Sequence, residues 1–129
     1  MRIFIITAVL FFILSPVTGH TRGYEMTKKV GAYEMEVSID KNPLILGENH
    51  IEIKIKEGKK AITGGTVWVN YYMPPMPRMA PMNYKTEATL KGEKYKAAMN
   101  IIMSGPWIIV IKMSLDGKTY TAKLNIEAR

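Results

Sequence analysis

The most distinctive chemistry in this chain belongs to its methionines. Met73, Met76, Met79 and Met82 recur on a strict three-residue period within "YYMPPMPRMAPM", residues 71–82. A thioether is a soft, neutral donor. It suits Cu(I) and has little use for Ca²⁺, Mg²⁺ or Mn²⁺. The sequence holds ten methionines and no cysteine. The lack of cysteine excludes disulfide staples, thiolate metal sites, a thiol nucleophile and a lipid-modified cysteine anchor.

Geometry limits what such a row can do. Pro74, Pro75, Pro77 and Pro81 remove backbone donors and push their predecessors out of helical angles. An inner strand is excluded for the same reason. The composition predicts polyproline II or an irregular loop close to it. Polyproline II has three residues per turn, so the four methionines fall along one edge, with neighbouring Cα atoms about 9 Å apart. Two side chains could lean together on one ion, but more would need a bend or ligands from elsewhere. Met99 and Met103 alternate onto one face of a nearby strand. The sharpest expectation is therefore a composite site in which Met76 and Met79 meet Met103. Two further uses of the segment stand beside it: an apolar plug at an open end of the fold, since methionine fills irregular gaps, and an apolar contact surface for a partner.

Two imidazoles complete the ligand inventory. His20 would become the mature N-terminus if the chain were cleaved after Gly19, and its amine and imidazole together could chelate Cu(II). His50, at a strand start, reads as an ordinary exposed residue.

The elements that must position these residues are strands. "YEMEVSI" (33–39), "HIEIKIKE" (50–57), "TVWVNYYM" (66–73), "YKAAMNIIM" (95–103), "WIIVIKMSL" (107–115) and "TYTAKLNIEA" (119–128) all alternate apolar and polar with period two. Residues 86–90 add a short candidate. Turn signals separate the runs, including Leu46-Gly47, Gly64-Gly65, Ser104-Gly105-Pro106 and Asp116-Gly117, the last a strong hairpin signal. This spacing predicts an all-β domain, an immunoglobulin-like antiparallel sandwich of about seven strands without a Cys-Trp-Cys core. Trp107 starts a buried strand on this reading, or else shields the methionine sulfurs.

"MRIFIITAVLFFILSPVTGH" at the start reads as a secretory signal peptide over residues 1–19, with an uncleaved membrane anchor as the alternative. Residues 20–31 read as a polar lead-in, with an edge strand as one form it could take, and residues 32–129 as the sandwich domain. The expected location is periplasmic or otherwise extracytoplasmic, with peripheral or no membrane contact after cleavage. The net charge is +7, but the lysines alternate with apolar residues, as in Ile53-Lys54-Ile55-Lys56, the pattern of a solvated sheet face. A nucleic-acid surface would want clustered arginine and stacking aromatics, so no nucleic-acid partner is expected. No paired carboxylates sit in a distinctive context, and a Gly-x-Ser-x-Gly motif, a phosphate loop and a His-rich metal motif are missing, so the chain does not read as an enzyme.

Four segments carry a resemblance to a known family: Asn42-Pro43 through Gly47-Glu48-Asn49; "VWVNYYMPPMPRMAPM" at 67–82; Gly92-x-x-Tyr95-x-Ala97; and Met103-Ser-Gly105-Pro-Trp107. Together they resemble the YtkA-like family of small exported domains, related to FixH-type proteins. The resemblance implies an immunoglobulin-like sandwich in an extracytoplasmic setting linked to copper handling, metal efflux or haem-copper oxidase assembly. It implies a membrane efflux or haem-copper oxidase component as partner, while Cu(I) as the ion rests on the thioethers themselves. By position, the resemblance points to Met73, Met76, Met79, Met82 and Met103 as the functional set; Met99 and His20 remain weaker candidates from the residues alone. Two departures stand out. Arg78 replaces a small residue and would put a cation near a copper site, and the N-terminal apolar run is short for a FixH-like span.

Overall fold

The computed structural model describes residues 23–129. The signal-peptide reading and His20 lie outside the described residues. The chain forms ten strands: β1 (Tyr24–Val30), β2 (Tyr33–Ile39), β3 (Gly47–Glu57), β4 (Lys60–Ala61), β5 (Thr66–Tyr72), β6 (Asn83–Glu87), β7 (Thr89–Lys91), β8 (Lys94–Ile101), β9 (Gly105–Leu115) and β10 (Lys118–Ala128). No described helix is long and apolar enough to cross a membrane.

The strands build two antiparallel sheets, one ordered β1-β2-β3-β8-β7 with β4 hanging on β3, the other β10-β9-β5-β6. With β2 as strand A of an immunoglobulin domain, the first sheet follows the A-B-E-D order and the second G-F-C with an added C′ strand. The all-β sandwich expected from the alternation is therefore the fold observed. The chain passes between sheets at buried Ala88, whose N–H donates to the Val67 carbonyl at 2.8 Å.

Period-two alternation decides which side chains enter the core. Ile51, Ile53 and Ile55 of β3 are buried against Val67 and Val69 of β5, Met99 and Ile101 of β8, and Trp107, Ile109, Ile111 and Met113 of β9. The lysines point the other way. On the outer face of the first sheet, Lys56 pairs with Glu36 at 2.6 Å, and Lys94 and Lys96 reach Glu52 at 3.5 and 3.2 Å. Lysine hydrogen bonds hold the Glu36 and Glu52 carboxyls below their ordinary range, and Glu36 raises Lys56.

Two boundaries differ from the sequence reading and one is sharpened. The polar lead-in takes its edge-strand form, β1, paired along its whole length with β2 from Tyr24↔Ile39 to Val30↔Tyr33. Its charged Lys28 and Lys29 mask an alternation in which Tyr24, Met26 and Val30 pack onto the core. Residues 86–90 resolve into two short strands on different sheets, β6 and β7. Finally, β8 ends at Ile101, so Met103 does not extend its inward face.

Candidate metal site

The methionine-proline segment connects β5 to β6, which pair antiparallel up to Tyr72↔Asn83. Residues 73–82 therefore form the closed end of a hairpin rather than an extended rod. At its tip the Met79 N–H donates to the Met76 carbonyl at 3.3 Å. Pro77 and Arg78 lie between them, and Arg78 has φ +68°. Proline at the second position and a left-handed residue at the third are the signature of a type II turn. The bend that a shared site requires is thus supplied by the chain itself.

The turn converts a linear period into cross-hairpin pairs. Met73 and Met82 follow the last ladder pair on opposite arms, while Met76 and Met79 flank the tip. All four line a single cleft of about 250 Å³, together with Tyr72, Pro74, Pro75, Ala80, Pro81 and Asn83. Met73 is only 6% exposed and forms part of the core. Met76 and Met82 are half-buried and pack against it. Met79 is also half-buried, while Pro75, Pro77, Arg78, Ala80 and Pro81 face solvent. The four methionines are thus more buried than most of the loop, while Pro74, Pro75 and Pro81 share the cleft wall with them.

Aromatic rings lie next to the loop. Tyr71 and Tyr84 stack with centroids 5.3 Å apart, and Trp107 sits 6.0 and 6.4 Å from them. Trp107 is fully buried, and its indole N–H donates to the Met103 carbonyl at 2.9 Å. Its observed place is thus in the core, holding the β8–β9 turn. Gly105, next in that turn, has φ +128°, and a Cβ there would come 3.0 Å from the Met73 methyl. The turn therefore supports the buried methionine without contributing a sulfur to the cleft.

The remaining sequence candidates fall elsewhere. Met103 does not line the cleft; it is 37% exposed on the turn beyond β8. Met99 is fully buried in the core, on an inward face that Met103 does not share. The expected meeting of Met76 and Met79 with Met103 is accordingly replaced by a cleft made within the loop. Arg78 is exposed at the tip and absent from the cleft wall, so the anticipated cation is not aimed at the sulfurs. His50 is exposed, and among the described residues no three His, Asp or Glu side chains gather as a metal site. The sequence reading missed Tyr72 and Asn83 as cleft residues. Their place across from each other is a matter of hairpin register, which the run of residues alone does not show.

This donor set fits a soft ion. Four neutral thioethers line the cleft and no charged side chain does. A hard divalent cation would want carboxylates and other oxygen ligands, whereas a monovalent soft ion asks for polarizable sulfur.

Comparison with known proteins adds the following. No curated protein matches the chain. Among solved structures the fold is similar to the crystal structure of the PmoD soluble domain from Methylocystis sp., with a TM-score of 0.56 and 10% identity over 81% of this chain and 97% of that one. At that identity the likeness concerns the fold. The YtkA-like family description matches residues 25–112, from β1 into β9, and takes in the whole methionine hairpin. The chain belongs to the YtkA-like family.

Proposed function

We propose that this chain is a non-enzymatic, extracytoplasmic domain whose methionine-proline hairpin binds Cu(I) or another soft metal ion, serving metal handling or the assembly of an efflux or haem-copper oxidase complex. The observation that carries this reading is the cleft lined by Met73, Met76, Met79 and Met82 and by no charged group. Family membership supports the setting. Buried Met73 would form the floor of the site, and the half-exposed Met76, Met79 and Met82 its walls. The ion would enter from the open side of the hairpin and meet a neutral pocket. Binding of modest strength suits a domain that hands its ion on.

The test is a Cu(I) titration against a chromophoric chelator under anaerobic conditions. Near-stoichiometric binding is expected for the natural sequence. A Met76→Leu, Met79→Leu, Met82→Leu triple variant should lose it, and Met103→Leu should retain it. Leucine keeps apolar volume, so each replacement should cost less than about 1.5 kcal/mol of stability. Unchanged Cu(I) binding in the triple variant, or none in the natural sequence, overturns the metal reading.

One observation favours a second role for the same loop. Met73, Met76 and Met82 pack on the core, so the hairpin also closes one end of the sandwich. If the natural sequence binds no Cu(I) yet the triple variant still melts and binds partners normally, the loop is an apolar closure and contact element only.

A further inference from the structure

We infer that the end of the sandwich carrying the methionine hairpin seats on a lipid bilayer surface, with the β2–β3 and β8–β9 loops as its apolar tips. Five large apolar side chains are conspicuously exposed among the described residues, and four of them stand at this end: Ile45, Leu46, Ile102 and Met103, 41, 53, 53 and 37% exposed. The register explains why they are neighbours. Gly47 pairs with Ile101, so the residues just before β3 and just after β8 emerge side by side. Such a grouping on a small domain marks a place of contact.

The tips are held rather than loose. Asn49, the one buried polar residue among those described, accepts from the Ile45 N–H at 3.0 Å. Its amide donates to the carbonyls of Ile45 and Gly47 at 2.8 and 3.1 Å. On the other loop, the Trp107 indole fixes the Met103 carbonyl. An apolar tip presented on a fixed backbone loses little entropy on contact.

The path of the chain identifies the occupant. Tyr24 pairs with Ile39, and Ile39 pairs with Ile51, so residues 1–22 join the sandwich at this same end. The apolar run Ile3–Leu14 is separated from Gly23 by Ser15–Arg22, a stretch spanning at most about 28 Å when extended. Where that run is retained as the membrane anchor, the bilayer that holds it has this end of the sandwich as its nearest surface. Charge agrees with apolar seating rather than adsorption by charge. At this end Lys41, Arg78 and Arg129 are offset by Asp40, Glu48 and Glu127, whereas the opposite pole, about 35 Å away along the strands, carries Lys59, Lys60, Lys91, Lys94 and Lys118 against Glu57, Glu93 and Asp116.

The test uses the absence of cysteine. Single variants Leu46→Cys, Ile102→Cys, Thr63→Cys and Thr119→Cys of the full chain are labelled with an environment-sensitive fluorophore. They are mixed, without copper, with vesicles of phosphatidylcholine alone or with phosphatidylglycerol. Blue-shifted emission and quenching by brominated acyl chains are expected at positions 46 and 102 and not at 63 and 119. Adding Ile45→Ser and Met103→Ser should lower the quenching at 102 several-fold. Four outcomes overturn the inference: quenching at 63 and 119 instead, which means that the lysine pole faces the lipid; equal quenching at all four positions; no quenching; or a shift at 46 and 102 without vesicles that grows with protein concentration, which means that a second copy covers the patch. None depends on metal, so this inference and the copper reading fail separately.

Discussion

At the scale of single residues, Arg78 and the four methionines divide the work of the hairpin. Arg78 holds a left-handed conformation that costs an ordinary residue about 1–2 kcal/mol, while its guanidinium stays outside the cleft. Arg78→Gly should therefore leave Cu(I) affinity unchanged and raise stability by about 0.5 kcal/mol, once the greater freedom of glycine in the unfolded chain is counted. Arg78→Val should lower it by a similar or larger amount. Urea melts of the two variants beside the chelator titration check both statements. The methionines were legible as soft ligands from residue type alone. Their partnership was not, because three-residue spacing on straight polyproline II separates them. The turn that reunites them rests on a non-glycine residue at a position that usually signals itself by glycine or asparagine. Met103 shows the converse error: continuing the β8 alternation by two residues carried it past the end of the strand.

Among the elements, the long strands announced themselves. β2, β3, β5, β9 and β10 alternate cleanly, and their inward residues are the ones buried. β1 was less visible because lysines occupy much of an edge whose outer side needs no apolar face. The β2–β3 loop rests on a feature that no alternation reveals, the buried amide of Asn49. It satisfies one N–H and two carbonyls of that loop. Asn49→Ala would leave those groups unpaired and should cost about 2–3 kcal/mol, read as a lowered urea midpoint. It should also loosen Ile45 and Leu46, with faster amide exchange over residues 44–48 as the local signature. In the β8–β9 turn, Gly105→Ala should destabilise for two reasons, the positive φ and the Met73 methyl beside the new Cβ. Its Cu(I) affinity should fall as well, because Met73 must shift.

For the molecule as a whole, the sheet order was not written in any one segment. Period-two patterning specifies faces but not neighbours, and the immunoglobulin-like order emerges only when register is known. The scattered lysines were legible as a solvated face, and their pairing with Glu36 and Glu52 gives that face a pH dependence. Both carboxyls titrate below the ordinary value of 4.5, so their stabilising contribution is complete above that pH. It is lost as pH falls below 4.5 through the folded-state values. The Lys56 side of the pair behaves oppositely, holding until pH rises past 10.5. All these groups are solvent-accessible, so the effect should be small and should fade in high salt. Thermal melts of the natural sequence and Glu52→Gln should differ at pH 6, draw together as the pH falls below 4.5, and differ less at pH 6 when salt is added.

The spacing of the hairpin sulfurs reads the same from either arm: two donors, a turn, two donors. A palindrome of this kind constrains how the loop can change length. One residue inserted between Met73 and Met76 would move a single arm out of step with its mirror image and split the cross-hairpin pairs. One residue added to each arm would preserve the reflection and merely lengthen the clasp. Length in this loop is therefore a paired variable, free to vary by twos and resistant to change by ones.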